Sequence, residues 1–495
     1  SKTPVRLNML VVLILFCSGF YSAQTTAGGK LLQVQVVTRH GARTRLSKHA
    51  DTLAEGGAVL TREGENQMRQ VGASLRKQYL SDELLGELQH WDSDVWVVSS
   101  NLDRTIASAM SVNAGIWPSD NTKHNFSGFV PIHTLGKTDD ITIRAYRNCP
   151  RFLKEVQALH DSEEFSAKRV ENRKFLEKLA TIFPEFSVPD IDNHPSFVPL
   201  EELWNAYDSI RVGASTLQQK QLSNEDKIQL SRLASWVEHR RYGTTTAGVK
   251  LGANLWKEIF ARCETIVRKS HGPSEVHSPY PPHRYIHYSA HYPTILSMLT
   301  CLRILTRAVE SDSSSQLLPD YGAALVVEVW QAEGNFSRGE SVFIKMRLSM
   351  SHEVPISKAP YIDLGSRCEE ASLEFGYSGR SCPLQVLLQM MTETPDWPAN
   401  DYQWCTVCDN HEATPCLLGE LVETRSSSNI STGASLAVCA IVSIVLGTAL
   451  GFFAALYIQR RRRGEGTNAM LAGTESSAPL ETNGESHQVQ LSTSA

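Results

Sequence analysis

Residues 31–38 are apolar, β-branched and alternating, and they run directly into Arg39-His40-Gly41-Ala42-Arg43. Such a segment reads as a buried strand. A strand that ends by delivering two arginines around one histidine fits an open α/β sheet, whose sites lie at the carboxyl ends of its strands. Gly41 is expected to let the backbone turn sharply there. Two guanidinium groups make a bidentate clamp for a tetrahedral dianion. A histidine between them can attack phosphorus as a neutral nitrogen nucleophile. The structural alternative is a surface histidine flanked by solvated arginines.

Two further segments repeat the pattern. Val97-Val98-Ser99 leads through Asn101-Leu102 into Asp103-Arg104-Thr105, which places Arg104 at a helix start where dipole and free N–H groups favour anions. Tyr288-Ser289-Ala290-His291 ends a third strand and is followed by a helix. Around these, strands are expected over 94–99, 285–289, 323–330 and 341–348, the last two antiparallel, and helices over 61–79, 103–116 (stopped by Pro118) and 294–309. Between 149 and 243 the strand signal vanishes, and 154–159, 164–183 and 223–241 are charged and helical in period. The fold class that follows is α/β: a central mixed sheet flanked by helices, with an inserted helical cap and one C-terminal transmembrane helix. The division is a signal peptide over 1–23, a core over 28–148 and 244–416, the cap over 149–243, a stalk over 417–432, the span over 433–458 and a tail over 459–495.

The ends of the chain set the compartment. Lys2 and Arg6 precede an apolar run over 9–20 and small residues, a secretory signal pattern with cleavage after Ala23 or Ala27. Residues 433–458 carry no charge and are followed by Arg460 to Arg463, which fits one transmembrane helix with the tail on the cytosolic side. A lipid-anchor signal fails because a polar tail follows. Gly447 and Gly451 are spaced as G-x-x-x-G, which leaves two readings: a homodimer contact, or small residues ordinary for a span. The tail is rich in Ser, Thr, Gly and Glu and reads as disordered. A type I protein follows, with its body facing a lumen or the cell exterior; no sorting signal in the tail gives an endosomal or lysosomal address. Setting aside Cys17 and Cys439 leaves eight of the 10 cysteines as disulfide candidates: Cys149, Cys263, Cys301, Cys368, Cys382, Cys405, Cys408 and Cys416. Cys405 and Cys408 with His411 and Cys416 also imitate a zinc site, the lesser reading in a secreted body. Glycosylation sequons stand at Asn125, Asn335 and Asn429. A hydrophobic share of 41% excludes a wholly disordered chain, and a net charge of -5 gives no nucleic-acid footprint.

The motifs come in a specific order: Val36–Arg43; Leu60-Thr61, Gly64, Gln67, Gly72, Leu75-Arg76 and Tyr79; Asp103-Arg104-Thr105; Tyr146-Arg147-Asn148-Cys149-Pro150-Arg151-Phe152; Tyr288-Ser289-Ala290-His291; and Ser381-Cys382-Pro383-Leu384. In this order, over roughly 31–416, the chain resembles the histidine acid phosphatases, especially the lysosomal and prostatic type. The resemblance implies an α/β sheet with a helical cap beside the pocket and a two-step mechanism. In it His40 takes the phosphoryl group, and Arg39, Arg43, Arg104 and His291 hold the phosphate oxygens. No metal and no cofactor is implied, and the partners are small-molecule or protein phosphomonoesters. The resemblance also implies that Cys149 pairs with Cys405 or Cys408 and Cys368 with Cys382, which leaves Cys263 and Cys301 for each other.

Two residues depart from the family pattern. Arg45 stands in place of a proline. More seriously, His291 is followed by Tyr292 where the family has the aspartate that protonates the leaving oxygen and then helps water attack. A tyrosine has an ordinary pKa of about 10 and is a poor base. The expectation is therefore slowed turnover, a preference for aryl esters and an accumulating phosphohistidine, unless a carboxylate from the cap substitutes. The alternative function is a phosphatase-like binding or trafficking protein that keeps the anion pocket with weak turnover. A phosphoglycerate-mutase-like transferase fits the signal, disulfides and anchor poorly.

Overall fold

Strand β1 (Gly29–Arg39) is buried, as expected, and on both faces from Leu31 onward. The polar members of the alternation are satisfied inside the protein. Gln33 Nε2 donates to the His283 carbonyl at 2.7 Å and Gln35 Nε2 to the Ile259 carbonyl at 2.9 Å. Buried amides of this kind cost little because they are hydrogen-bonded.

The computed structural model describes residues 29–44, 58–80, 91–118, 130–189, 195–211, 216–270, 279–304, 318–332, 342–374, 380–394 and 397–427. After β1 come α1 (Arg62–Tyr79), β2 (Val95–Ser99), α2 (Asp103–Ile116) and β3 (Ile132–Thr134). A helical stretch follows, with α3 (Pro150–His160), α4 (Glu163–Glu171), α5 (Arg173–Ile182), α6 (Leu203–Arg211) and α7 (Asn224–Gly243). Then come α8 (Ala253–Ser270), β4 (Tyr285–Ala290), α9 (Tyr292–Cys301), β5 (Ala324–Ala332), β6 (Val342–Ser349), α10 (Ser366–Glu374), β7 (Ser381–Pro383), α11 (Asp401–Cys408) and α12 (Thr414–Ser427).

Among the described residues the strands form one mixed sheet in the order β3-β2-β4-β1-β5-β6-β7. β1, β2, β3 and β4 are parallel, while β5, β6 and β7 run antiparallel. One apolar cluster fills each face of the sheet, and Phe165, Leu176, Phe183 and Leu230 belong to a third cluster confined to the helical stretch between β3 and β4. In α5 the buried Phe175, Leu176, Leu179 and Ile182 lie on one stripe, the spacing that drives an amphipathic helix to pack. Helix α7 starts with a reciprocal capping box between Ser223 and Asp226.

Several expectations are corrected. Helix α9 ends at Cys301 rather than near 309, because Arg303 takes a left-handed conformation (φ 57°) that a helix cannot continue. Two of the implied disulfides form, Cys149–Cys408 and Cys368–Cys382, and Cys405 pairs with Cys416. The zinc reading of the Cys405 to Cys416 cluster therefore falls, since its thiols are consumed in two different bonds. Cys263 and Cys301 do not pair. Each is buried in its own neighbourhood, Cys263 accepting from Gln35 Nε2 at 3.4 Å and Cys301 donating to the Val249 carbonyl at 3.3 Å.

Residues up to Glu420 form one compact unit, and the second unit, Leu421–Ala495, is described only as far as Ser427. The signal pattern, Arg45, all three sequons, the apolar run 433–458 and the tail lie outside the described residues. Among the described residues no helix is long and apolar enough to cross a membrane.

Candidate active site

The register of the parallel strands builds the site. β1 sets Arg39 beside Ala290 of β4, and β2 sets Ser99 beside Ser289, so three strands end at one level. Backbone hydrogen bonds carry that alignment past the strand ends. His40 N–H donates to the Ala290 carbonyl at 3.1 Å and Ser100 N–H to the Ser289 carbonyl at 3.1 Å. The loop after His40 is fixed against α1 and α2. Thr61 Oγ1 donates to the Ala42 carbonyl at 3.0 Å, Ala42 N–H to Gln67 Oε1 at 2.8 Å, and Gly41 N–H to Ser108 Oγ at 3.2 Å. Gly41 is needed here for a reason other than the expected turn. Its φ is not positive, but a Cβ on it would stand 2.4 Å from the Gly64 carbonyl oxygen, where the first turn of α1 crosses the loop.

The strand ends open on a cavity of about 260 Å³ lined by all six residues singled out in the sequence: Arg39, His40, Arg43, Arg104, His291 and Tyr292. His40 Nδ1 lies 2.8 Å from the Gly41 carbonyl oxygen. A carbonyl only accepts, so Nδ1 carries the ring proton and Nε2 keeps its lone pair. Arg104 Nε donates to that Nε2 at 3.3 Å. Burial first, then Arg104, His291, Arg39 and Arg43, hold the His40 imidazole well below its ordinary pKa. The ring therefore stays neutral below the pH at which a free imidazole takes up its proton. His291, whose Nε2 lies 2.8 Å from Ser100 Oγ, is lowered likewise by burial and then by Arg104. Burial, followed by Arg43, brings the Arg104 guanidinium down to about 10, which leaves it fully charged near neutral pH.

Crowding three arginines and two imidazoles demands counter-charge, and α6 supplies it. Asp208 accepts from Arg39 at 3.0 Å and from Arg43 at 2.8 Å, and Tyr321 donates to the same carboxylate at 2.7 Å. Arg39 is further caged by Tyr321, Trp204 and Tyr292, with its guanidinium carbon 4.0, 5.0 and 5.4 Å from their ring centres. The ring of Trp204 lies 4.0 Å from that of Tyr292, whose hydroxyl donates to Glu238 Oε2 at 3.0 Å.

Asp208, Glu238, Trp204 and Tyr321 were not singled out by the sequence. A signal did exist for Asp208, which sits on the apolar stripe of its helix four residues after Trp204, but not for Glu238, whose helix carries charge on every face. Among the described residues no group of acidic, histidine and cysteine side chains could hold a metal ion.

Comparison with known proteins settles the family. The model of the histidine phosphatase superfamily (branch 2) matches residues 46–349. The chain belongs to this superfamily. The match begins just after Arg43, so the β1 motif adds to it from outside the matched span. Lysosomal acid phosphatase of Bos taurus is 29% identical over 188 residues, which cover 36% of this chain and 41% of the relative. Prostatic acid phosphatase of Rattus norvegicus is 22% identical over 405 residues, covering 77% and 90%. The chain thus spans about two fifths of the length of the lysosomal relatives it matches. The fold is also that of solved phytases. The Hafnia alvei and Citrobacter braakii enzymes each superpose with a TM-score of 0.52 at 14% identity, over 74% of this chain and 98% of theirs.

Proposed function

We propose that the protein is a phosphomonoesterase working through a phosphohistidine on His40. The observation that carries this reading is the tautomer of His40. Its Nδ1 proton is committed to the Gly41 carbonyl, and the free Nε2 lone pair faces Arg104 within a cavity edged by Arg39, Arg43 and His291. In the first step Nε2 attacks phosphorus while the ester oxygen leaves. In the second, water attacks phosphorus and the bond to Nε2 breaks. Arg39, Arg43, Arg104 and His291 hold the three equatorial oxygens, and the arginines stabilise their charge through both steps. No metal or cofactor enters this scheme. A nucleophile that stays neutral at low pH suits an acidic compartment. The resemblance to lysosomal acid phosphatases favours an endolysosomal or lumenal setting for the body, with the helical stretch as cap, the segment 433–458 as anchor, and small-molecule or protein phosphomonoesters as substrates.

The test is His40→Ala in the purified protein, with phosphate release and acid-quench trapping of labelled phosphohistidine as readouts. Turnover should fall to background with folding intact, and retained activity rejects the mechanism. A second reading, an anion-binding or trafficking protein with weak turnover, is favoured by Tyr292 in the aspartate position and by Asp208 already pairing with two clamp arginines. Under that reading the wild-type protein binds inorganic phosphate but releases it from esters only slowly.

A further inference from the structure

Glu238 is a carboxylate that the scheme above does not use. It sits near the end of α7, its side chain is fully buried, and it does not line the cavity. One oxygen, Oε1, accepts from Arg241 at 2.7 Å. The other, Oε2, accepts from the hydroxyl of Tyr292, which does line the cavity. A buried carboxylate is retained only where its partners compensate its desolvation, and here one of the two partners is the side chain standing where the family keeps its proton-transfer aspartate.

We propose that Glu238 is the proton reservoir of the reaction and that the Tyr292 hydroxyl relays its proton to and from the reacting oxygen. This inference rests on the phosphohistidine reading. In the first step the P–Nε2 bond forms and the P–O ester bond breaks. The leaving oxygen takes the phenolic proton of Tyr292, and the phenolic oxygen takes the proton of Glu238. Glu238 enters this step as the carboxylic acid and leaves it as the carboxylate that accepts from Arg241 and the Tyr292 hydroxyl in the structure. In the second step water oxygen bonds to phosphorus and the P–Nε2 electron pair returns to His40. The water proton passes to the Tyr292 oxygen, and the Tyr292 proton passes to Glu238, restoring the acid. The phenol stays neutral between steps, because burial first and then Glu238 raise its pKa well above the ordinary value. The base is then the carboxylate, and the stalled second step expected of a lone tyrosine no longer follows. The groups facing Glu238 are Arg241 and Tyr242 on its own helix, Tyr292 on α9 and His160 on α3.

The alternative role for Glu238 is a mere counterion for Arg241, and the two roles separate by leaving group. An alkoxide needs a proton to depart, whereas an aryl oxide does not. The experiment takes the full chain with Glu238→Gln, Tyr292→Phe and the double variant, against 2-glycerophosphate and p-nitrophenyl phosphate. Each single variant should lower kcat for the alkyl ester by about 10²–10³-fold, with KM and inhibition by inorganic phosphate changed by less than about threefold. The aryl ester should still phosphorylate His40 within about tenfold of the wild-type rate, and the phosphohistidine should accumulate in rapid quench. The double variant should fall no further than either single one, because both break the same relay. Glu238→Asp should restore part of the rate. If Glu238→Gln does not fold, Tyr292→Phe, which removes one hydroxyl, decides alone. Variants that keep alkyl turnover within about threefold, in a protein that His40→Ala inactivates, overturn the relay and leave the phosphohistidine standing. Turnover that survives His40→Ala overturns both.

Discussion

The sheet side of the cavity brings Arg39, His40, Arg43, Arg104 and His291, whereas the helical stretch between β3 and β4 brings Asp208, Glu238 and Trp204. The first group is cationic and hangs on backbone already fixed by the parallel register. The second holds the buried acids and an aromatic, beside Arg147 and Arg241 of the same stretch, and it reaches the site only through tertiary packing. Each carboxylate meets a group of the opposite side, Asp208 the two clamp arginines and Glu238 the hydroxyl of Tyr292. The division teaches that a clamp for a dianion can be written into strand ends, while its counter-charge and its protons are delivered from elsewhere in the chain.

The largest expected effect on this contrast comes from the cationic side. Arg104→Ala removes the donor aimed at the nucleophile, and it should cost about 2–4 kcal/mol of transition-state stabilisation, or roughly 30- to 900-fold in kcat/KM. A loss below about threefold would place the working charge on other residues. The acidic side should answer in the opposite direction. Asp208→Asn removes one negative charge beside Arg39 and Arg43 while keeping the shape, and inorganic phosphate should inhibit about tenfold more tightly. Weaker inhibition would show that Asp208 serves to orient the arginines and not to balance them.

The smallest effect is an absence of change with pH. Because the His40 pKa lies below its ordinary value of about 6.5, the ring stays neutral as pH falls from 7 through 6.5. Its contribution to stability is complete above about pH 6.5 and is lost only as pH drops toward the depressed folded value. An NMR titration should show no His40 inflection near 6.5, and bound inorganic phosphate, by adding negative charge, should move the inflection upward. An ordinary titration near 6.5 would mean that the cationic side does not act on the nucleophile.

The two sides also differed in how far they could be read from the chain. The ends of β1, β2 and β4 were legible because arginine and histidine follow apolar strand residues at once, and strand ends converge by topology. Helix α7 was legible as a helix but not as half of a site. Its sequence, NEDKIQLSRLASWVEHRRYG, carries charges on every face, and only the partner at Tyr292, 54 positions away, selects Glu238 from among them. Tyr292 could be read only from its own chemistry, because its hydrogen bond to Glu238 is not visible in the sequence. The Cys263 and Cys301 pairing failed for a like reason: elimination left two thiols over, but α8 and α9 bury them against different partners. Gly41 was expected in a turn, and only the crossing of α1 shows that it admits a neighbouring backbone instead.

The bond between Cys149 and Cys408 joins residues 259 positions apart, at the start of α3 and the end of α11. A chain made from its N-terminus exposes Cys149 to Cys263, Cys301, Cys368, Cys382 and Cys405 before its true partner exists. Cys263 and Cys301 stay thiols in the finished fold, so any bond that Cys149 makes with either has to be exchanged again. Such reshuffling takes seconds to hours, depending on oxidant and isomerase. The helical wall of the cavity is therefore fastened only after every strand of the sheet has been made. Yield in a given host depends on its isomerase supply, a constraint on the manufacture of this protein that leaves no trace in the chemistry of its site.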